Sequence, residues 1–376
     1  MIKLNVLKNY LLFIPLILSL GLAQTAFAST QHAEVDLSAE FSPLVPTRDQ
    51  REASVHIARS LLLNHYRKQD IDQELSQKAY EFYLDSLDSQ HLYLLESDIQ
   101  DFEPYRFRLH NALKTGQLEP GFRIFNRYQA RVISRLRKQI KDLKKGFSKL
   151  NFDKEEYILT DRSETSRPKN QEELDDVWRR RIKSAALSLL LDGKTEQEAQ
   201  DTLVKRYENQ LKRTLQSRSE DAFQIYMNAF ASVYDPHTTY FSPRTSENFN
   251  INMSLSLEGI GAVLQQEDEY TKVVRLVHAG PASKQGELRP ADRIVAVAQG
   301  DGELQDVIGL RLDEVVELIR GPKDSIVKLE VIPVSAKTND EHKIISIKRD
   351  KVKLEEQSAQ KKIIKISTVL NPHKIY

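Results

Sequence analysis

From Thr47 to about Val233 the apolar positions recur every three to four residues, the period of helices that bury one face. Ile71, Leu75, Ala79, Phe82 and Leu87 make one such face, and Phe125, Val132, Leu136, Ile140 and Leu143 make another. Ala199, Leu203, Tyr207, Leu211 and Leu215 step by fours. Thr47 with Gln50, Ser97 with Gln100 and Thr195 with Glu198 each fit a capping box, in which the hydroxyl and the later side chain satisfy amides that a helix start leaves unpaired. Asn151 to Asn170 is polar, contains Arg167-Pro168, and is expected to be a loop. After Pro243 the pattern changes. Short β-branched runs at Lys272–Val277, Arg293–Val297 and Ser325–Ile332 are separated by Gly280-Pro281, Gly286, Gly300-Asp301-Gly302 and Gly321-Pro322. One helical stretch, Leu312–Ile319, falls among them, so a helical domain should be followed by a small strand-rich domain with a helix packed on it. Beyond Pro333 only one alternating segment remains, Lys343–Lys348, and it is expected to be a lone edge strand.

Composition narrows the function. The 376 residues carry 55 Lys+Arg against 54 Asp+Glu, so no field of one sign favours nucleic acid as a partner. The basic residues from Arg131 to Lys145 surround an apolar stripe and lack interleaved stacking aromatics, which reads as a solvated helix face. With no cysteine there is no thiolate zinc site, disulfide framework or cysteine nucleophile. Lys3 and Lys8 precede the apolar run Leu11–Ala23, which Pro15 interrupts, and Ala26-Phe27-Ala28 follows. That order is the plan of a secretory signal peptide over residues 1–28, cleaved after Ala28. The run is too short for a membrane span.

Leu257-Glu258-Gly259-Ile260-Gly261-Ala262 places a Gly-Ile-Gly loop directly before a strand. Two glycines tolerate positive φ and remove Cβ atoms, so backbone amides can converge on an anion such as a peptide's terminal carboxylate. The following strand would offer its edge to an extended peptide. A tight turn with no ligand is the alternative. A dinucleotide-binding loop is excluded, because this one leads into a strand and no third glycine opens a helix.

The order of several motifs resembles a family. The Gly-Ile-Gly loop, Gly280-Pro281-Ala282, Leu288-Arg289-Pro290-Ala291-Asp292-Arg293-Ile294 and Leu318-Ile319-Arg320-Gly321-Pro322-Lys323 resemble a PDZ domain of carboxyl-terminal processing proteases. Phe82–Tyr93, Asp235-Pro236-His237-Thr238-Thr239-Tyr240-Phe241-Ser242-Pro243 and Arg349–Glu355 resemble the long, periplasmic tail-specific branch. The resemblance implies a multidomain fold, an all-α helical domain over residues 29–245 and an α+β PDZ domain over 250–335, a small antiparallel barrel or sandwich capped by helices. Residues 336–376 would begin the protease core and be partly disordered. The resemblance also implies a peptide groove formed by Leu257, Glu258, Gly259, Ile260, Gly261 and Ala262, with Leu312 and Val316 nearer the ligand and Val315 and Ile319 nearer the core.

Two departures stand out. Ala291 occupies a position where such domains carry glycine, and a positive φ there would strain alanine by about 1 kcal/mol. The family's catalytic serine and lysine follow the PDZ domain, in a core that this sequence does not reach. No residue is therefore expected to be catalytic. Ser166/Lys169, Ser325/Lys328 and Ser358/Lys361 have Ser-x-x-Lys spacing, a number expected by chance, and there is no Gly-x-Ser-x-Gly elbow. Asp235 beside His237 reads as a turn in which the carboxylate bonds local amides, rather than a metal site.

The resulting expectation is the substrate-recognition portion of an exported, periplasmic tail-specific serine endopeptidase. It would bind the apolar C-terminal tails of exported or misfolded proteins, with an adaptor protein as a further partner, and no cofactor, nucleic acid or membrane span. Two alternatives stay open: a non-catalytic exported binding module, and the product of an interrupted gene.

Overall fold

The computed structural model describes residues 36–254 and 256–353. The expected signal peptide, and the tail from Leu354 with Ser358 and Lys361, lie outside them. Helices fill the first part: α1 Arg48–Leu63, α2 Gln73–Asp88, α3 Glu96–Phe102, α4 Leu109–Thr115, α5 Glu119–Leu143, α6 Gln171–Leu191, α7 Glu196–Leu215, α8 Ser219–Tyr234 and α9 Pro243–Ser254. Residues 151–170 form no helix or strand. Thr47 and Thr195 close the capping boxes at the starts of α1 and α7.

The box expected at Ser97 does not form. Leu95 is the cap of α3, and the Asp98 carboxylate accepts from its amide at 3.0 Å. A carboxylate at the third helical position is the stronger acceptor for that amide. Phe82 is also misplaced by the sequence reading, being 40% exposed. The buried face of α2 runs through Leu75, Ala79, Tyr83 and Leu87, flanked by Tyr80 and Leu84, and steps of four carry it past Phe82 to Tyr83.

Two apolar cores hold these helices. One gathers α1, α2, α4, the first turns of α5 and α8 around Tyr80, Tyr83, Tyr226 and Phe230. The other gathers the rest of α5 with α6 and α7 around Leu136, Trp178 and Leu203. Helix α5 spans both because its apolar stripe continues through 25 residues.

The second part consists of β1 Ser256–Gly259, β2 Ala262–Glu267, β3 Tyr270–Leu276, α10 Pro281–Gln285, β4 Arg293–Gln299, β5 Gln305–Asp306, α11 Leu312–Ile319, β6 Ile326–Ile332, β7 Lys343–Lys348 and β8 Asp350–Lys353. One antiparallel sheet has the order β2-β3-β4-β6-β7, with β5 also on β4, and β1 pairs with β8. Its core is aliphatic: Val273, Ile294, Val315, Leu329 and Ile347 are buried together.

Lys343–Lys348 is not a lone strand, contrary to expectation. It pairs with β6 from Lys343↔Val331 to Lys348↔Ile326, burying Ile345 and Ile347. Alternation decides this outcome: the two inward isoleucines complete the core while their neighbours face water. Asp350–Lys353 likewise pairs with β1, so strand pairing continues to Lys353.

Candidate functional site

Strand β2 ends the sheet. Its inner edge pairs with β3, its outer edge has no strand partner among the described residues, and α11 lies alongside. Immediately before β2, the Gly-Ile-Gly loop is tied back by its carbonyls. Ile260 O accepts from the Ala282 amide at 2.9 Å, and Gly261 O accepts from the Val277 amide at 2.8 Å. In a trans peptide the N–H points opposite to the C=O. The Gly261 and Ala262 amides therefore turn away from the segment 277–282, and the Gly261 amide has no acceptor among the described residues.

Gly261 has φ +71°, and a Cβ there would lie 3.3 Å from both the Gly280 Cα and the Val352 methyls. Glycine is required on both counts, conformation and space. The Gly280-Pro281-Ala282 motif and the Gly-Ile-Gly motif are thus two sides of one packed turn.

The other residues expected at the groove divide. The Ile260 side chain is buried in the sheet core, which leaves its backbone for the loop. Glu258 is exposed and accepts from the Lys323 amide at 3.0 Å, so its carboxylate is spent on the neighbouring turn. Leu257 lines a cavity of about 420 Å³ with Ile251, Arg320 and Lys351. On α11, Val315 and Ile319 are buried in the core, whereas Leu312 and Val316 line a second cavity of about 740 Å³. Arg320 lines both cavities, and its Cγ is 3.9 Å from the place a Gly259 Cβ would take. In the sequence Arg320 stands within the Leu318–Lys323 motif without an expected role of its own. A cation directly after the helix that flanks the loop was the available signal.

The larger cavity is bounded on its far side by α7, α8 and α9. Ion pairs join α11 to α8 and α9. Arg311 reaches Asp221 at 2.6 Å, Arg244 reaches Glu317 at 2.6 Å and also contacts Asp313, and Arg218 contacts Glu314. Hydrogen bonds to Glu317 and Asp221 hold the Arg244 and Arg311 guanidiniums above their ordinary pKa.

Catalytic pairing is not present in the Ser-x-x-Lys spacings that fall within the described residues. Ser166 and Lys169 are both exposed, and a lysine base needs desolvation. Ser325 accepts from Arg349 and donates to Pro322 O, while Lys328 pairs with Asp301 at 2.9 Å. Asp235 accepts from the His237 amide at 2.8 Å and from the Tyr66 hydroxyl at 2.5 Å. Among the described residues no cluster of three or more His, Asp or Glu could hold a metal ion, and no helix is long and apolar enough to cross a membrane.

Comparison with known proteins bears on this geometry. The tail-specific protease N-terminal domain family matches residues 57–244, and the PDZ domain family matches residues 248–332. A tail-specific protease of Haemophilus influenzae is 34% identical over 322 residues, which are 85% of this chain and 46% of that protein. The carboxy-terminal processing protease CtpA of Bacillus subtilis is 33% identical over 41% of this chain and 32% of its own length. The PDZ domain of a Vibrio cholerae carboxy-terminal protease, solved in complex with peptide, is 50% identical over 27% of this chain and all of its own, with a TM-score of 0.25. The chain spans less than half the length of these curated relatives. With half of its residues matched by the tail-specific N-terminal domain and a PDZ domain following, the chain belongs to the family of tail-specific, carboxyl-terminal processing proteases.

Proposed function

We propose that the described residues are the substrate-recognition part of a tail-specific serine endopeptidase acting in the periplasm after removal of residues 1–28, and that the PDZ groove takes the apolar carboxyl terminus of a protein. The observation that carries the reading is the junction of a free sheet edge, β2, with a loop whose carbonyls are bonded inward and whose Gly261 amide is turned outward. A peptide adding to β2 with its carboxylate at the loop would run antiparallel to the strand, its terminal side chains against Leu312 and Val316. Arg320 would add a cation beside the amides, which strengthens bonds to a carboxylate. Cleavage falls to the family's serine and lysine, to which no described residue corresponds. C-terminal tails of exported or misfolded proteins are the substrate class, and an adaptor is a further partner.

The test is binding of fluorescent peptides that end in apolar residues, with a free or an amidated C-terminus. The free acid should bind at least about tenfold tighter, because amidation removes the charge the loop receives. Gly261→Val should weaken the free acid toward the amide. Equal affinity for the two forms would return the loop to a plain turn.

A further inference from the structure

The upstream end of the groove carries charge that the apolar-tail reading does not use. Strand β2 runs from the loop toward Gln266, and Gln266 and Asp268 line the larger cavity together with Lys212 and Arg213 from the last turns of α7. Every acidic side chain on this wall already has a basic partner. Asp221 pairs with Arg311, Glu317 and Asp313 with Arg244, and Asp268 with Lys205 at 2.9 Å. Lys212 and Arg213 make no side-chain hydrogen bond or ion pair with the described residues. Lys212 is half-buried and Arg213 exposed, and both line the cavity with water as the alternative partner.

We infer that Lys212 and Arg213 form an acidic subsite, selecting peptides that carry Asp or Glu upstream of the apolar terminus. The inference rests on the carboxyl-terminal reading, because that reading sets the peptide's direction. With the carboxylate at Gly261 and one ligand residue per strand residue, at about 3.3 Å each, Gln266 and Asp268 face roughly the fifth to seventh residues from the C-terminus. A carboxylate there meets two unpaired cations and no unpaired anion on the cavity wall. Lysine or arginine at the same place meets repulsion. Specificity would then have two parts from different regions: the PDZ unit reads the terminus, and the helical domain reads the charge preceding it.

The experiment uses the full chain and three decapeptides with the same four apolar terminal residues and a free carboxylate, bearing Asp-Glu, Gln-Gln or Lys-Lys at the sixth and seventh positions from the end. The acidic peptide should bind about three- to tenfold tighter than the Gln peptide, and the Lys peptide more weakly than either, with the spread narrowing as salt rises. In the Lys212→Gln/Arg213→Gln variant the three affinities should converge, and in Lys212→Glu/Arg213→Glu the order should reverse. An amidated Asp-Glu peptide completes the set. Equal affinities for the three free acids, with the amide still weaker, overturn the acidic subsite and leave the terminal reading standing. Equal affinity of free and amidated forms overturns both.

Discussion

Buried charge is handled differently in the two regions of the molecule. In the helical region most buried charged groups face opposite charges, with Asp235, which accepts from the His237 amide and the Tyr66 hydroxyl, an exception. Asp88 meets Arg167 at 2.7 Å, Asp98 meets Arg127 at 2.6 Å and Arg131 at 2.9 Å, and Lys183 meets Glu156 at 2.8 Å. In the sheet region the two most buried charges face neutral dipoles. Arg349, 2% exposed, donates to the Ile319 and Leu318 carbonyls, the Ser325 hydroxyl and the Gln299 amide oxygen, with no carboxylate partner among the described residues. Asp292 accepts from the Arg289 and Val334 amides, both at 2.8 Å. The pairs between helices fix how helices sit against one another. The lone charges of the sheet region satisfy backbone that a small aliphatic core cannot, and Arg349 does so at the end of α11, the helix that walls the groove.

The largest effect should come from breaking that arrangement. Arg349→Met leaves the last carbonyls of α11 buried without donors, at a cost of about 3–5 kcal/mol to the sheet region. Gly321 is part of the same joint, since a Cβ there would lie 2.9 Å from the Arg349 guanidinium carbon. Amide exchange should quicken throughout β4, β6 and α11 and stay slow in α2 and α8. Uniform loss in both regions would show that the two are one cooperative unit, and the contrast between them would fall.

Asp88→Ala tests the other side. Its carboxylate accepts from the Leu92, Tyr93 and Leu94 amides at 2.8, 3.2 and 3.0 Å as well as from Arg167, fixing the turn between α2 and α3. Removal should cost about 3 kcal/mol, since three amides and a guanidinium lose one acceptor together. Thermal unfolding read through Trp178, whose indole N–H donates to Leu92 O at 2.7 Å, reports on the same turn. An unchanged midpoint would mean that the turn is held by packing alone.

Which of these features the sequence displays depends on how local they are. Helical faces repeat within a few residues, so the α5 and α7 stripes could be read directly, whereas the inward pair Val315 and Ile319 came only with the family resemblance, and the boundary between Phe82 and Tyr83 turned on a single step of the period. Ala291 could be read too, because a turn residue announces its φ by what usually stands there. Arg349 and β8 could not: the Ser325 and Gln299 partners of Arg349 lie 24 and 50 residues away and the β8 partners more than ninety, and nothing local in Arg349-Asp350-Lys351 distinguishes a buried hub from a charged surface turn. Lys212 and Arg213 were hidden for the same reason. They look like the basic end of any helix until the groove is placed beside them.

Ala291→Gly should be a gain. Ala291 sits at φ +72°, inside the short turn where its amide donates to Val273 O at 2.7 Å and its neighbour Asp292 is buried. Glycine removes the Cβ clash of the left-handed conformation, offset by its greater freedom in the unfolded chain, for a net gain of about 0.5–1 kcal/mol in the sheet region. The urea midpoint should rise with no change in slope. A fall would show that the methyl group packs usefully enough to outweigh the strain.

The smallest effect should be a pH dependence confined to the helical region. Burial holds His91 below the ordinary imidazole range, and nearby Arg167 adds to it; burial likewise holds His110 down, with Lys114 adding to it. The His110 Nδ1 is buried without a hydrogen-bond partner among the described residues, while the His91 Nδ1 lies 2.6 Å from Thr165 O and donates to it. A folded-state pKa below the unfolded value means that the unfolded chain takes the proton first. Stability from both histidines is therefore complete above about pH 6.5 and declines as pH falls through their lowered folded-state values. Asp98 belongs to a separate, more acidic window. Burial alone would raise its carboxyl, but bonds from Arg131, the Leu95 amide and Arg127 hold it below its ordinary value, so its contribution is complete above the ordinary aspartate range and is lost as pH falls through and below that range. Between pH 7.5 and 5.5 the helical midpoint should drop modestly, and His91→Gln/His110→Gln should abolish most of that drop. If the double variant shows the same pH dependence as the parent chain, the titrating groups lie elsewhere.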